Sequence, residues 1–473
     1  MLRAVADRDA YANLLLPALL TERGLTGRDA AFATELTYGT LRGRGTYDAI
    51  VAACSDRDQL DPAVRDVLRL GAHQLLATRV GPHAAVATSV DLVKDVCGPR
   101  PSGFDNAVLR RVATRDLDGW TEIVAPSRDR DPYGYLAVRH SYPRWIIEAF
   151  ADALGPASTA ELEAALAAGN LRPDVVLAVT PGRVASHDPA SHDPASHDPA
   201  SHDPASRNPA SHDPDLPATT PTRWSPYGRR LAGGDPAPYV ASGQAVVQDE
   251  ASQLAALALT RVSLSPAGNA SDPGPDRLWL DLCAGPGGKA RLLAGLAVER
   301  GASLVASDVR PHRAGRVLDA LRRAKFDSAG STPAVIAADG RNVPWRPGTF
   351  DRVLADVPCS NLGSLRRRPE ARWRKTPDDV PELAAVQRGL LDAAIESVRP
   401  GGVVAYVTCS PHLAETRDVV TAVAGARGDV TILDAPAVLA DVPGLSAADS
   451  RFAQFWPHRH GTDAIFLALL RRD

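Results

Sequence analysis

The sequence carries almost no net charge: 53 Lys and Arg against 56 Asp and Glu leave a formal charge of -3. No global cationic field therefore draws the chain onto nucleic acid or anionic lipid, and any such binding has to come from a local patch. Cysteine is scarce as well. The five thiols, Cys54, Cys97, Cys283, Cys359 and Cys409, are odd in number and widely scattered, which excludes a disulfide framework and a zinc-type pair cluster. The N-terminal stretch MLRAVADRDAYANLLLPALL holds acidic residues early and no long apolar run. It reads as an amphipathic helix rather than an export signal, so the expected location is the cytoplasm and no membrane partner is expected.

What the chain does have is length and an ordinary globular composition. At 473 residues, 44% hydrophobic and 23% charged, it is too long for one core and too apolar for wholesale disorder. A single small binding module is excluded, and roughly two to four domains are expected.

Residues 1–135 read as all-helical, because apolar residues recur at helical spacing with Gly or Pro between the runs. In Asp61 to Thr78, Val64, Val67, Leu68, Leu75 and Leu76 fall on one stripe, and Pro62 suits a first helical turn. Periodicity alone does not choose between a packing domain and a docking domain for RNA or protein. Residues 136–244 change texture, with a helix around PRWIIEAFADAL and short β-like runs such as DVVLAV, and read as a small α+β connector.

Inside the connector, residues 185–214 are six copies of a five-residue unit, ASHDP in five and ASRNP in the one starting at Ala205. Pro in every unit and the lack of apolar side chains predict an extended, solvated loop. The histidines His187, His192, His197, His202 and His212 invite a metal reading. Ordering entropy and the absence of Cys from the string argue against it, so no metal is expected.

From residue 245 to 473, β-branched runs alternate with helical stretches. RLWLDLCAGPGGK, SLVASDVR, AVIAADG, FDRVLADVPCS and GGVVAYVTCS read as five strands of a mostly parallel sheet with helices on both faces. In such a sheet the ligand crevice lies beyond the carboxyl ends of the strands. The glycines of Cys283-Ala284-Gly285-Pro286-Gly287-Gly288-Lys289 allow a sharp turn and a close approach to a ligand. Their spacing fits neither G-x-G-x-x-G nor a phosphate-gripping G-K-[ST] loop.

Asp281, Asp308, Asp339 and Asp356 all fall near predicted strand ends, where four carboxylates repel a pyrophosphate and attract a cation. S-adenosylmethionine, with a sulfonium, an ammonium and ribose hydroxyls, suits that field. Asp356-Val357-Pro358-Cys359-Ser360 and Thr408-Cys409-Ser410-Pro411 each place a thiol just past strands that neighbour one another in the order 3-2-1-4-5. A buried structural thiol is the default for Cys54 and Cys97, and Cys283 is expected to pack beneath its loop. At polar loop ends beyond a sheet a thiol can be reached and ionised.

Next to a methyl donor, a thiolate adding to C6 of a pyrimidine turns the poorly nucleophilic C5 into an enamine-like carbon, and a second thiol can act as acid or base in its release. Asp356 is placed to hydrogen-bond N3 or the exocyclic amine of a cytosine. The cationic run Arg366, Arg367, Arg368, Arg372, Trp373, Arg374 and Lys375 reads as an RNA-facing rim, with phosphate contacts and a base stack on Trp373.

CAGPGGK, the acids of ASD and ADG, DVPCS and YVTCS together resemble the RNA cytosine-5 methyltransferases of the Sun and nucleolar-protein class. ELTYGTLRGR, LRLGAHQLL and GFDNAVLRR resemble the NusB-like helical domain of the bacterial small-subunit rRNA members, and VVQDEASQLAALAL resembles the helix leading into their catalytic sheet. The resemblance implies an all-α NusB-like domain, the α+β connector and a Rossmann-like α/β methyltransferase domain, using S-adenosyl-L-methionine on RNA, with 16S rRNA as target.

It further implies that Cys409 is the nucleophile and Cys359 the assistant in release. Residues Cys283 to Lys289 would line methionine and adenosine, Asp308 the ribose, Asp339 the adenine side and Asp356 the junction of donor and base. A monomer is expected. Two alternatives stay open: the same chemistry on tRNA, and an idle RNA-binding assembly factor. The chain departs from the family pattern at Gly285, Ala290, Asn361 and Thr416, none of them a reacting group. The ASHDP array is foreign to it.

Overall fold

The computed structural model describes residues 1–8, 10–57, 59–155, 159–182, 216–266, 271–272, 274–326, 333–445, 447 and 449–473. The ASHDP repeat, and with it the loop and metal readings of residues 185–214, lies outside the described residues. The chain divides into two compact units, residues 1–173 with 361–379, and residues 174–360 with 380–473.

The first unit is helical. Its long helices include Gly27–Arg42, Arg44–Cys54, Pro62–Ala77, Pro82–Cys97 and Ser102–Val112. Helix Pro62–Ala77 shows why the sequence folds this way. The Asp61 carboxylate accepts the Ala63 N–H at 2.8 Å, Pro62 occupies the first turn, and Val64, Val67 and Leu68 go into the core. That core also holds Ile50, Val93, Val108, Leu109 and Trp120. Gly71 lets two helices cross closely, since a Cβ there would sit 2.7 Å from Leu109 Cδ1.

The expected boundaries at 135 and 244 do not coincide with this division. Helices Arg144–Leu154 and Thr159–Ala168 continue the helical unit, burying Ile146, Ile147, Phe150 and Leu166. The β-like runs of the supposed connector belong to the second unit instead. Strands β1 (Val176–Val179), β2 (Thr219–Pro221), β3 (Gly228–Leu231) and β4 (Ala245–Val247) form an antiparallel sheet in the order β2-β3-β1-β4. A change of local texture marks where strands begin, not which core an adjoining helix joins.

The second unit's large sheet contains β5 (Leu278–Asp281), β6 (Ser303–Asp308), β7 (Ala334–Ala337), β8 (Phe350–Asp356), β9 (Val398–Thr408), β10 (Val430–Leu433), β11 (Ala453–Gln454) and β12 (Phe466–Arg472). The order is β10-β12-β9-β8-β5-β6-β7, with β11 beside β12. Strands β5 to β9 are parallel, in the doubly wound arrangement expected from sequence, while β12 runs antiparallel to β9 with Phe466 opposite Thr408.

Successive side chains alternate between two cores, as a strand buried on both faces requires. Trp279, Val403 and Ala405 point to helices Glu250–Arg261, Gly288–Glu299 and Pro311–Ala324. Leu280, Val404 and Tyr406 point to Asp379–Ser397 and Arg417–Ala426. The carboxyl ends of β5, β6, β8 and β9 are thereby held at one edge of a rigid sheet. Arg291, buried in helix Gly288–Glu299, donates to Thr180 Oγ1 at 2.7 Å and to the Gly243 carbonyl, fixing that helix to the small antiparallel sheet.

Candidate active site

Strand β8 ends at Asp356 and β9 at Thr408, and their parallel register aligns Asp356 with Val407. The loops that follow bring the Cys359 and Cys409 sulfurs to 3.3 Å from each other. Cys359 is 6% exposed and Cys409 is half-buried. Beneath the pair lies a polar cluster that the sequence reading did not single out. Buried Glu415 accepts the Ser360 N–H at 2.7 Å, the Ser410 hydroxyl at 2.7 Å, the Gln387 side-chain amide at 3.1 Å and the Ser360 hydroxyl. Gln387 also donates to the Pro358 carbonyl at 2.9 Å, and Tyr406 donates its hydroxyl to the Glu415 carbonyl at 2.7 Å.

Beside the thiols, Lys289 Nζ pairs with Asp356 Oδ2 at 2.8 Å. Burial works to lower the Lys289 pKa, but Asp356 and the weaker pull of Cys409 and Asp281 raise it overall, so the ammonium stays charged. Asp281, at the end of β5, is fully buried, and neither carboxylate oxygen has a hydrogen bond of good geometry. Burial first, and then repulsion from Asp356, push its pKa up to about 8; Lys289 and the nearby Cys283 N–H offset this in part.

The glycine loop closes on the acid of β6. Gly285 N–H donates to Asp308 Oδ2 at 3.1 Å, and a Cβ on Gly285 would stand 2.3 Å from that oxygen. Gly287, at φ +113°, starts the next helix in a conformation that suits glycine. Asp308 also accepts the Arg310 N–H at 2.9 Å and lies 3.5 Å from Arg313. Asp339, just past β7, is engaged by Arg341 at 2.8 Å, which holds its carboxyl below the usual range. Cys283 is pushed well above the usual thiol range by burial and then by Asp281, Asp356 and Asp308, which leaves it a poor thiolate.

A family model for the 16S rRNA methyltransferases RsmB/F matches residues 269–471, and a NusB family model matches residues 1–114. A ribosomal RNA small subunit methyltransferase B from Pseudomonas putida is 31% identical over 99% of this chain and 96% of its own length. The chain belongs to the RsmB/F family of 16S rRNA methyltransferases. A putative methyltransferase of Mycobacterium tuberculosis is 49% identical, covering 100% of this chain and 94% of that one. The crystal structure of PH0851 shares the fold at a TM-score of 0.69 and 21% identity, over 94% of this chain and 91% of that one.

The methyl donor of an RsmB/F methyltransferase is S-adenosyl-L-methionine, and the residues present suit it. Asp281 offers two buried acceptor oxygens without a good partner, and Gln248, beside Gly288, offers a third at Oε1. Such orphaned acceptors are costly unless a donor or cation meets them. The sequence pattern does not mark Gln248, and it marks Asp281 only as one of four strand-end acids; the place of Asp281 at the opening of the DLCAGPGGK loop is the available signal.

The cationic loop requires a correction. Residues Asn361–Asp379 belong to the helical unit, and Arg372 is 0% exposed there. Its guanidinium lies 3.7 Å from the centroid of the Tyr142 ring and donates to the carbonyls of Arg42, Ser141 and Gly169 and to the Tyr142 hydroxyl. Arg374 donates to the carbonyls of Val5 and Ala10, Trp373 stacks on Arg44, and Arg366 is buried. Arg367, Arg368 and Lys375 are half-buried. The sequence pattern reads these residues as an RNA-facing rim, whereas the structure buries Arg372 and Arg366 in the helical unit; carbonyl acceptors and aromatic faces make burial of arginine tolerable.

Among the described residues no group of three metal-ligating side chains converges, and no helix is long and apolar enough to cross a membrane.

Proposed function

We propose that this chain is a cytoplasmic, monomeric enzyme that methylates carbon 5 of a cytosine in 16S rRNA through a covalent bond between Cys409 and C6 of the base. The observation that carries this reading is the 3.3 Å approach of two thiols at the ends of adjacent parallel strands, with a charged lysine alongside. The relatives' names supply the rRNA target.

Cys409, half-buried near the Lys289 ammonium, is the nucleophile that adds to C6, making C5 nucleophilic. Bound S-adenosylmethionine supplies the electrophilic methyl group. Asp281 and Gln248 meet its cationic and donor groups, the loop Cys283 to Lys289 lines it, Asp308 takes the ribose and Asp339 the adenine side. Asp356, oriented by Lys289, meets N3 or the amine of the base. After transfer, the proton on C5 leaves, the electrons of that C–H bond restore the C5–C6 double bond, and the Cys409 thiolate departs. Cys359 is the assisting acid or base for this step.

The test is transfer of labelled methyl groups into purified rRNA and tRNA. Cys409→Ser should lose at least ~10³-fold in turnover while keeping cofactor affinity within about threefold. Cys359→Ala should leave an RNA adduct that survives denaturing electrophoresis. Label in tRNA alone would move the target, and no label in either RNA would favour an idle assembly factor.

A further inference from the structure

The two thiols sit on separate loops, after β8 and after β9, and the backbone pairing of these strands ends at the Val357 N–H on the Val407 carbonyl, short of both cysteines. One side chain spans both. Glu415 Oε1 takes the Ser360 N–H and the Gln387 amide, whose other bond holds the Pro358 carbonyl; these flank Cys359 on both sides. Glu415 Oε2 takes the hydroxyls of Ser360 and Ser410, the residues that follow the two cysteines, and those hydroxyls are 3.0 Å apart. The Glu415 carbonyl is itself held by Tyr406 of β9. We propose that Glu415 is a positioning residue that clamps the Cys359 and Cys409 loops at the sulfur spacing the reaction needs, without touching substrate or cofactor itself.

This inference rests on the two-thiol reading above, and it makes a further distinction. The donors on Oε1 are obligatory N–H groups, whereas the donors on Oε2 are hydroxyls that can turn to accept. A glutamine with its carbonyl toward Ser360 N–H and Gln387, and its NH₂ toward the two hydroxyls, satisfies the same cluster. Glu415→Gln should therefore keep the clamp, and Glu415→Ala should release it. If Glu415 instead worked by its charge or as a proton carrier, the two variants would be equally impaired.

The experiment compares wild type, Glu415→Gln and Glu415→Ala as full-length protein in two assays. The first is single-turnover methyl transfer to rRNA with saturating cofactor. Glu415→Gln should stay within about threefold of wild type, and Glu415→Ala should fall about 100-fold with cofactor affinity unchanged, since misplacement of reacting groups by about 1 Å costs that much.

The second is oxidation of the Cys359 and Cys409 thiols to a disulfide by diamide, which takes up the two hydrogens, followed by peptide mapping. The reaction should be about tenfold slower in Glu415→Ala and unchanged in Glu415→Gln. If Glu415→Ala does not fold, Ser410→Ala, lacking one donor, should show the same pattern in weaker form. Equal impairment of turnover by Gln and Ala, or a disulfide rate indifferent to both, overturns the proposal. Failure of wild type to make 5-methylcytosine removes the reaction assigned above, while the disulfide series still decides whether Glu415 sets the spacing.

Discussion

Asp105 in the helical unit and Asp281 in the sheet unit look alike electrostatically. Each is fully buried, neither has a hydrogen-bond partner of good geometry, and burial pushes their pKa values up to about 7 and about 8. Their surroundings differ. Around Asp281 stand a glycine loop, the Lys289–Asp356 pair, Asp308 and a half-buried thiol, whereas burial alone accounts for the Asp105 shift. A perturbed carboxylate marks a site when other chemistry converges on it, and is otherwise a burden on stability. Arg372 is the third case. Buried as deeply, it spends four N–H bonds on protein oxygens and reads as structural.

The largest expected effect on stability falls on that arginine. Arg372→Ala would strand three backbone carbonyls and the Tyr142 hydroxyl in the core, so unfolding free energy should drop by about 3 kcal/mol in urea titration. A phosphate contact would instead weaken RNA binding and flatten its salt dependence with stability intact. That second outcome would return the loop to the role the sequence suggested.

Asp281→Asn should act on the cofactor rather than on the fold. Because the carboxyl is largely protonated at pH 7, binding of a cationic ligand there has to expel a proton, which offsets part of the attraction. Affinity for S-adenosylmethionine should therefore fall by only about 10- to 30-fold, or about 1.4–2 kcal/mol. Calorimetry in buffers of different ionisation enthalpy should show proton release on binding that the variant lacks. Unchanged affinity would place Asp281 with Asp105 and erase the contrast between them.

Much of the sheet was legible because strands β5 to β9 each announce themselves by an apolar run ending in polar or small residues, and chain order then gives the sheet order. Strand β12 was not, since its place between β9 and β10 is set by long-range register opposite Thr408 rather than by local pattern. The two cysteines stood out as PCS and TCS. Glu415 did not, because its role comes from four partners drawn from residues 360, 387 and 410, and a lone glutamate after TCS carries no mark of that. Asn361, which departs from the resemblance's usual glycine, adopts φ +62°. Asparagine is the non-glycine residue that enters this region most readily, so the departure leaves the backbone shape accessible. Burial was the least legible quantity, and Arg372 was misread for that reason: composition counts charges, but only packing shows which carbonyls wait for them.

Asp105 supplies the smallest effect and the cleanest sign. Its folded pKa of about 7 lies above the 3.8 of a solvated carboxyl, so the folded chain holds a proton that the unfolded chain releases. Across that window the unfolded state binds fewer protons, and stability falls as pH rises from about 4 to about 7, then levels off once both states are ionised. Asp105→Asn removes the titration while keeping the shape. Its stability relative to wild type should be close to zero near pH 4 and should grow to a gain of about 1–2 kcal/mol at pH 8, less than the full shift implies because a buried site relaxes around the charge. Differences between the two urea profiles cancel every other titrating group. A pH-independent difference would mean that Asp105 has a partner in solution, and the helical unit would then hold a second buried carboxylate engaged with chemistry of its own.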